Sequence, residues 1–595
     1  MLASIMKSHT FRLLFAFILG LNFGIAQELD SLDVNVDFYQ KIEMSDGTSL
    51  SSNIYMPTDL NKKYPTVLII TPYISDENHS RGLFFARNGY VFITVDSRGR
   101  GNSEGEFVPF ENDGKDGHDI VNWISKQNWC DGNIGMLGGS YRGMSQWLTL
   151  KHFPKSLKTI IPIASVGPGR DFPKYNNIFS LYSLRWLMFT GGKTYNGNLF
   201  QEDFWKVKQE KLYANGLPFY KFDSIVGAPN IVFQKWLMHP AHDDFWKGFY
   251  LTPKENHRID IPILSITGHF DGDQMGTLLY YKDHMEYGNT SSKENHYLII
   301  GPWSHGGTRN PKSELGGLKF AENAIINMNQ LYLDWFNWTL RDGEKPVLLK
   351  NRLMYYEMGS NLWKYAADLN SIFNEEMVLY LGSLHSEAKD AFFSGDLLKE
   401  PLEEDLEPDS IVYSPSLKKG INNLSYKDNS DDYYLSQSYI NDANLLIYNS
   451  SSFKESITVN GKIKLEAYIS MNVEDTDLKF AVYEITSKNK SIFLQEGVLR
   501  ARYRNSLEKA EKVPKNKIVK YTLEGRNLFS RVLKKGSRIR LVFSPIDSPN
   551  IQKNYNYWED PSRQSSSYSQ KAHLKIYHSA EYPSRIILPI NIERP

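Results

Sequence analysis

Cysteine is all but missing, with Cys130 the single thiol in 595 residues. That excludes an intramolecular disulfide, and it excludes any metal site built on paired thiolates. Cys130 itself reads as a small core residue ahead of a strand. Net charge is missing as well, because 68 Lys and Arg balance 68 Asp and Glu. Without a global field of either sign, neither nucleic acid nor an anionic membrane surface is an expected partner. A small molecule is the expected partner, and nothing in this balance opposes a homo-oligomer. Internal repeats are absent, and long apolar runs are confined to the N-terminus. There Lys7 and Arg12 precede the apolar run 13–25, and Gly24-Ile25-Ala26 stands before Gln27. This is the pattern of a cleavable secretory signal over residues 1–26. The run is roughly 13 residues, short of the ~20 that span a bilayer, although an uncleaved anchor is the alternative. The expectation is a secreted or periplasmic protein, free of the membrane after cleavage and held together by packing alone.

What is present excludes a disordered chain: 41% of residues are hydrophobic, with 36 Tyr and 12 Trp among the aromatics. The length exceeds what one core fills, so several domains are expected. Over 39–56 two β-favouring runs flank the turn dipeptide Asp46-Gly47, as in a hairpin. Short continuous apolar runs follow at 66–70, 90–95, 134–137, 157–163, 263–267 and 297–300. Helical patterns at 119–125, 144–152 and 277–284 lie between them. Strands buried on both faces and alternating with helices predict an α/β fold, a mostly parallel sheet built from 27–167 and 259–345. The interval 168–258 has no clean strand but is rich in aromatics, which predicts a helical cap inserted over the C-terminal edge of the sheet. An amphipathic helix near 321–340 and the polar stretch 341–346 close the sheet domain. Beyond it, over 346–595, runs at 352–358, 377–381, 462–470, 479–485, 538–543 and 574–577 predict a β sandwich or jelly roll.

The sharpest chemical feature is Gly138-Gly139-Ser140-Tyr141-Arg142-Gly143, set between a buried strand pattern and a helix. Such a strand, turn and helix is a nucleophile elbow: it presents the serine in a strained conformation and leaves the N–H of the following residue, Tyr141, aimed at an oxyanion. An ordinary glycine-rich turn is the alternative. A serine hydroxyl needs a base, and the base needs an acid to fix its tautomer, in the chain order Ser, Asp or Glu, His. Asp271 stands at the end of the apolar run 263–267, within His269-Phe270-Asp271-Gly272, and His305 follows the run 297–300, within Gly301-Pro302-Trp303-Ser304-His305. In open α/β sheets such strand ends line the ligand crevice. The rivals have other expected duties. His269 packs in the wall, Asp243 and Asp244 belong to the insertion, and Asp96 organises the turn Ser97-Arg98-Gly99-Arg100-Gly101.

These motifs, together with Thr71-Pro72-Tyr73, Asp96 to Gly105, Trp129 to Gly135, Asp475-Thr476-Asp477-Leu478 and Pro583-Ser584-Arg585, resemble a family of hydrolases. It includes cocaine esterase, the α-amino acid ester hydrolases, the glutaryl cephalosporin acylases and the X-Pro dipeptidyl-peptidases. The resemblance covers nearly all of the mature chain, and the family's own elbow carries the second glycine at the position of Gly143. It implies an α/β-hydrolase domain, a helical cap and a C-terminal jelly roll, with no cofactor and no metal. It also implies that Tyr73 is a second oxyanion donor beside the Tyr141 N–H; by itself Tyr73 reads as a wall aromatic.

The expected reaction is cleavage of an ester or amide through an acyl-enzyme on Ser140. In the amino acid ester hydrolases a carboxylate cluster grips the substrate ammonium; two of its positions correspond to Asp273 and Gln274, and a third falls near Phe172-Pro173-Lys174, with Asp171 close by. Asp273 is therefore a candidate substrate ligand, a helix cap being the alternative, while Lys174 would favour an anionic acyl group. Expected substrates are α-amino acid esters or acyl amides first, X-Pro dipeptides second and acylated carbohydrate third. A non-catalytic glycan-binding protein is the reading from another class, and the intact Ser, Asp and His set argues against it.

Overall fold

The computed structural model describes residues 33–59, 61–194, 197–383, 387–403, 406–415 and 444–592. The signal-peptide reading of residues 1–26 falls outside them.

Two β-favouring runs do fold back on each other as β1 (Val34–Glu43) and β2 (Ser49–Pro57), antiparallel about the Asp46-Gly47 turn. The continuous apolar runs become β3 (Tyr64–Thr71), β4 (Val91–Asp96), β5 (Cys130–Gly139), β6 (Leu157–Ile163), β7 (Ile263–Phe270) and β8 (His296–Ser304). These six pair in parallel. Two further strands, β9 (Leu353–Glu357) and β10 (Leu362–Ala366), complete one sheet in the order β1-β2-β4-β3-β5-β6-β7-β8-β9-β10. Alternate residues of β3 feed opposite layers. Leu68 and Ile70 pack with Ile120, Val121 and Trp147 of α2 (Asp113–Ile124) and α3 (Tyr141–Leu150). Val67 and Ile69 pack with Phe85, Tyr332, Trp335 and Phe336 of α1 (His79–Arg87) and α5 (Met328–Arg341). Helix α5 starts where the Asn327 side chain accepts the Gln330 N–H and stops at Asp342 in the left-handed region. The helix after β7, α4 (Gln274–Tyr287), carries the loop discussed below at its N-terminus.

The sheet domain runs further than the sequence suggests. The run 352–358, expected in the β domain, instead forms β9 and pairs in parallel with β8, Leu298 opposite Leu353. The physical reason is visible in its burial. All five residues of β9 are buried, and Leu353 to Tyr355 stand opposite Leu298 to Ile300. The sheet therefore extends to Ala366, and the first strand of the other large sheet is Glu375–Gly382.

Between β6 and β7 the chain forms the insertion, with helices Tyr182–Phe189, Glu202–Ala214, Phe222–Val226 and Ile231–Leu237 and one tiny hairpin of Lys174–Tyr175 with Ile178–Phe179. Its own core is aromatic, including Trp186, Trp205, Phe222, Phe233, Trp236 and Trp246, and it closes on Phe110, Tyr141 and Met144 of the sheet domain. The C-terminal strands are largely antiparallel around a second core that includes Ile411, Leu465, Phe480, Leu541 and Ile586. This β sandwich is bolted to both other parts. Arg500, held by both oxygens of Asp477 at 2.8 and 2.9 Å, also donates to Asn177 O of the insertion, and Gln552 N donates to Phe179 O. No helix of the described residues is long and apolar enough to cross a membrane.

Candidate active site

Strand β5 ends at Gly139, helix α3 starts at Tyr141, and Ser140 between them sits at φ 65 and ψ −125. A non-glycine residue at positive φ costs of order 1–3 kcal/mol and persists only where its surroundings fix it. Here the Ser140 N–H donates to Ile163 O at 2.9 Å, and the Gly143 and Met144 N–H groups both close on Ser140 O. Gly143 is needed where it stands, since a Cβ there would lie 2.7 Å from Ser165 Oγ and 2.8 Å from Ile163 O.

Asp271 follows β7 and is fully buried. Its Oδ1 accepts from His305 Nδ1 at 2.8 Å and from the Asp273 N–H at 3.0 Å, and its Oδ2 accepts from Thr267 Oγ1 at 2.8 Å. Burial pushes this carboxyl up, but the His305 hydrogen bond and charge with these further donors overcome it, and the net direction is down. Asp271 is thus an ionised acceptor that leaves His305 Nε2 as the basic nitrogen. His305 is 36% exposed. Burial alone would lower its pKa, yet the charge of Asp273 and then the bond and charge of Asp271 raise it. Ser140 makes no hydrogen bond to His305 among the described contacts; its hydroxyl lies near that of Tyr73.

Tyr73 stands just past β3. Its hydroxyl accepts the Trp186 Nε1–H of the insertion at 3.0 Å, which leaves its own proton to donate. Burial raises its pKa, so it stays a neutral donor. The side chain of Tyr141 is locked, with its ring stacked between Phe110 and Trp186 and its hydroxyl donating to Asp113 Oδ2 at 2.6 Å. That lock fixes the first turn of α3, where the Tyr141 N–H lies. Burial pushes the Asp113 carboxyl up to about 7, against the Tyr141 hydrogen bond.

Asp273 stands at the N-cap of α4, but its side chain accepts no capping hydrogen bond. Instead its Oδ2 lies 3.6 Å from His305 Nδ1. Asp171, absent from the sequence-based site, is buried with Oδ1 on the Gly167 N–H at 2.8 Å and Oδ2 on the Gly276 N–H at 2.5 Å. Burial and then the charge of Asp273 drive its pKa well up, so the two carboxylates share one environment. Lys174 does not serve an anion. It is wholly buried, and its amine donates to His239 O, Pro240 O and Ala241 O at 2.9, 2.8 and 2.6 Å, a structural tie within the insertion. Gln274 is likewise structural, its amide bridging Gly268 O and the backbone of Leu528 in the sandwich. The loop before Leu528 supports the acid: Asn527 Nδ2 donates to His269 O and Asp271 O, each at 3.0 Å, and Arg526 Nη2 donates to Gly272 O at 2.7 Å.

The rivals hold other posts. His269 is wedged between Tyr356 O and Leu528 O, Asp243 pairs with His239, and Asp96 accepts from the Ser75 N–H and hydroxyl. Among the described residues no group of three His, Cys, Asp or Glu is placed to hold a metal. Trp186, Asp113 and the 526–528 loop escaped the sequence reading because their partners lie far along the chain, although the aromatic density of the segment around Trp186 pointed to that part; Asp171 was named only as a carboxylate close to Phe172-Pro173-Lys174.

Comparison with known proteins adds to this geometry. Residues 46–307 match the family model described as X-Pro dipeptidyl-peptidase (S15 family), and residues 354–587 match that of the X-Pro dipeptidyl-peptidase C-terminal non-catalytic domain. The chain is 25% identical to cocaine esterase of Rhodococcus sp. (strain MB1 Bresler), covering 92% of this chain and 97% of that protein. Its fold is similar to that of a solved α-amino acid ester hydrolase, with 20% identity, TM-score 0.79 and coverage of 99% and 100%. It is also similar to an aminopeptidase from a marine sediment archaeon, Thaumarchaeota archaeon, with 20% identity, TM-score 0.78 and coverage of 96% and 98%.

Proposed function

The chain belongs to the X-Pro dipeptidyl-peptidase (S15) family of serine hydrolases, and we propose that it cleaves α-amino acid esters or acyl amides through an acyl-enzyme on Ser140. The observation that carries the chemistry is the strained Ser140 at the elbow, together with the hydrogen-bonded pair of His305 and the buried Asp271. His305 Nε2 takes the hydroxyl proton as Ser140 attacks the carbonyl, and the ionised Asp271 stabilises the imidazolium. To attack, the Ser140 hydroxyl comes into hydrogen-bond contact with His305. Tyr73 and the Tyr141 N–H then turn to the oxyanion, each worth roughly 10²- to 10³-fold in rate. His305 next protonates the leaving group, and water hydrolyses the acyl-enzyme by the same route.

The aminoacyl part rests on Asp171 and Asp273. The charge of the part-exposed Asp273 raises the buried Asp171, and a substrate ammonium near both offsets that repulsion. The test compares an amino acid ester with its N-acetyl form on the full chain. A free-amine preference that Asp273→Asn removes supports the reading; equal rates on both esters reject it. Export is also proposed, from the basic and then apolar N-terminal pattern ahead of Gln27. Intact mass of the protein recovered from its native source checks it, with cleavage after Ala26 as the expected result.

A further inference from the structure

Several well-covered arginines of this chain are paired with carboxylates, and the fully buried Arg100 is satisfied instead by the carbonyl oxygens of Pro72, Gly192 and Thr194. Arg98 lies on Asp116 and Asp46, Arg500 on Asp477, Arg502 on Asp475 and Arg531 on Glu484. Three part-exposed arginines differ. Arg81 on α1, Arg142 in the first turn of α3 and Arg309 in the loop after His305 lie within electrostatic reach of one another. Among the described residues, the side-chain hydrogen bond found for these three is a long one, from Arg142 Nη1 to Asn78 Oδ1 at 3.4 Å. Buried Nε of Arg81, Nε of Arg142 and Nη1 of Arg309 have no acceptor, and neither has the hydroxyl of Tyr332, which feels all three charges. Glu77 lies within electrostatic reach of Arg142, and burial raises its carboxyl. Burial and then the charge of Arg309 push Arg142 down to about 10. Converging guanidiniums with unmet N–H groups are costly by themselves and become favourable around an anion.

The cluster adjoins the proposed reaction centre. Arg142 Cζ lies 5.5 Å from the ring centre of Tyr73, whose hydroxyl lies near Ser140. Arg309 crosses the backbone one residue before the nucleophile, its Nη1 2.5 Å from where a Cβ on Gly139 would stand. Its charge reaches both His305 and Asp273. Arg142 and Arg309 are each part-exposed, so a bound molecule can meet them.

We propose that Arg142 and Arg309, together with Arg81, form a subsite for a carboxylate that the substrate carries within a few bonds of its scissile carbonyl. The fork of a guanidinium matches the two oxygens of a carboxylate, which is why this anion is preferred over a point charge. The inference rests on Ser140 as the nucleophile and deepens that reading. With Asp171 and Asp273 on the ammonium, the substrate carries both charges.

The test uses isosteric ester pairs on the full chain. One pair places the carboxylate in the acyl part, the α-methyl esters of glutamate and glutamine. The other places it in the leaving group, the 4-carboxyphenyl and 4-carbamoylphenyl esters of alanine. The expected result is a kcat/KM ratio of anionic to neutral ester of about 10- to 100-fold in one pair, and that pair identifies the side of the scissile bond. Arg309→Gln and Arg142→Gln should each cut the ratio about tenfold, and Arg309→Lys should restore part of it. A general loss of folding or catalysis lowers both members and leaves the ratio alone. No preference in either pair, or a preference that both variants retain, overturns the subsite. If no ester is hydrolysed, the nucleophile reading fails, and calorimetric titration with glutarate decides the subsite independently. Binding that weakens in Arg309→Gln supports it, and no binding to the unmodified chain rejects it.

Discussion

Tyr73→Phe removes one hydroxyl and keeps a ring of the same shape, which packs against Phe189 at 6.0 Å between centroids. That hydroxyl has one duty in the structure, accepting from Trp186 Nε1 at 3.0 Å, and one in the proposed mechanism, donating to the oxyanion. Their losses are separable. As an oxyanion donor it is worth about 2.7–4 kcal/mol of transition-state stabilisation, so kcat should fall roughly 10²- to 10³-fold with little change in KM. As an acceptor it satisfies the N–H of a side chain only 5% exposed, and orphaning that N–H costs about 1–3 kcal/mol of stability. Trp186→Phe is the control, because it removes the N–H with its need and leaves the Tyr73 proton available. It should lower stability through lost packing while kcat stays within about tenfold. The assay is kcat referred to active sites titrated by burst, with thermal melting of the same samples. Tyr73→Phe with kcat within about threefold of the unmodified protein would refute the assignment of this donor.

Asp273→Asn should shift the acid limb of kcat/KM, measured on an N-acetyl ester, to lower pH. The base works only when neutral; Asp273 helps raise the His305 pKa, so activity now begins to fail at higher pH than an ordinary imidazole would allow, and an unmoved limb would contradict this. Asn527→Ala removes two hydrogen bonds to the acid loop and should lower kcat by about tenfold, with the Asp271 to His305 proton resonance shifted in NMR; an unchanged resonance and rate would leave Asn527 a bystander. A fragment ending after Ala366 should be insoluble or inactive, since the sandwich supplies partners to both the acid loop and the insertion; a soluble fragment with normal kinetics would show an independent module.

The sheet was legible because burial on both faces writes unbroken apolar runs such as 66–70 and 134–137, and the site was legible because strand ends punctuate them. The same rule misplaced β9: its apolar run is short and lies after a polar stretch that resembles a linker, and only pairing with β8 shows where it belongs. Lys174 misled for a related reason. A lysine beside a cleft reads as a free charge, yet three backbone carbonyls from 239–241, more than sixty residues on, absorb it. Asp273 gave no sign in sequence of which of its two readings held, because a helix start suits either; the absent capping bond and the contact with His305 come from geometry. Trp186, Asp171 and Asn527 act through partners on other segments, which one-dimensional spacing does not encode.

The most direct measurement is covalent. The full chain is treated with a fluorophosphonate, digested and mapped by mass spectrometry, with His305→Ala in parallel and ester hydrolysis followed in the same samples. The expected result is one adduct on the peptide that contains Ser140, activity lost in step with labelling, and labelling slowed by several orders of magnitude in His305→Ala. An adduct on another residue, or full hydrolysis by Ser140→Ala, would contradict the assignment of the nucleophile and with it the mechanism.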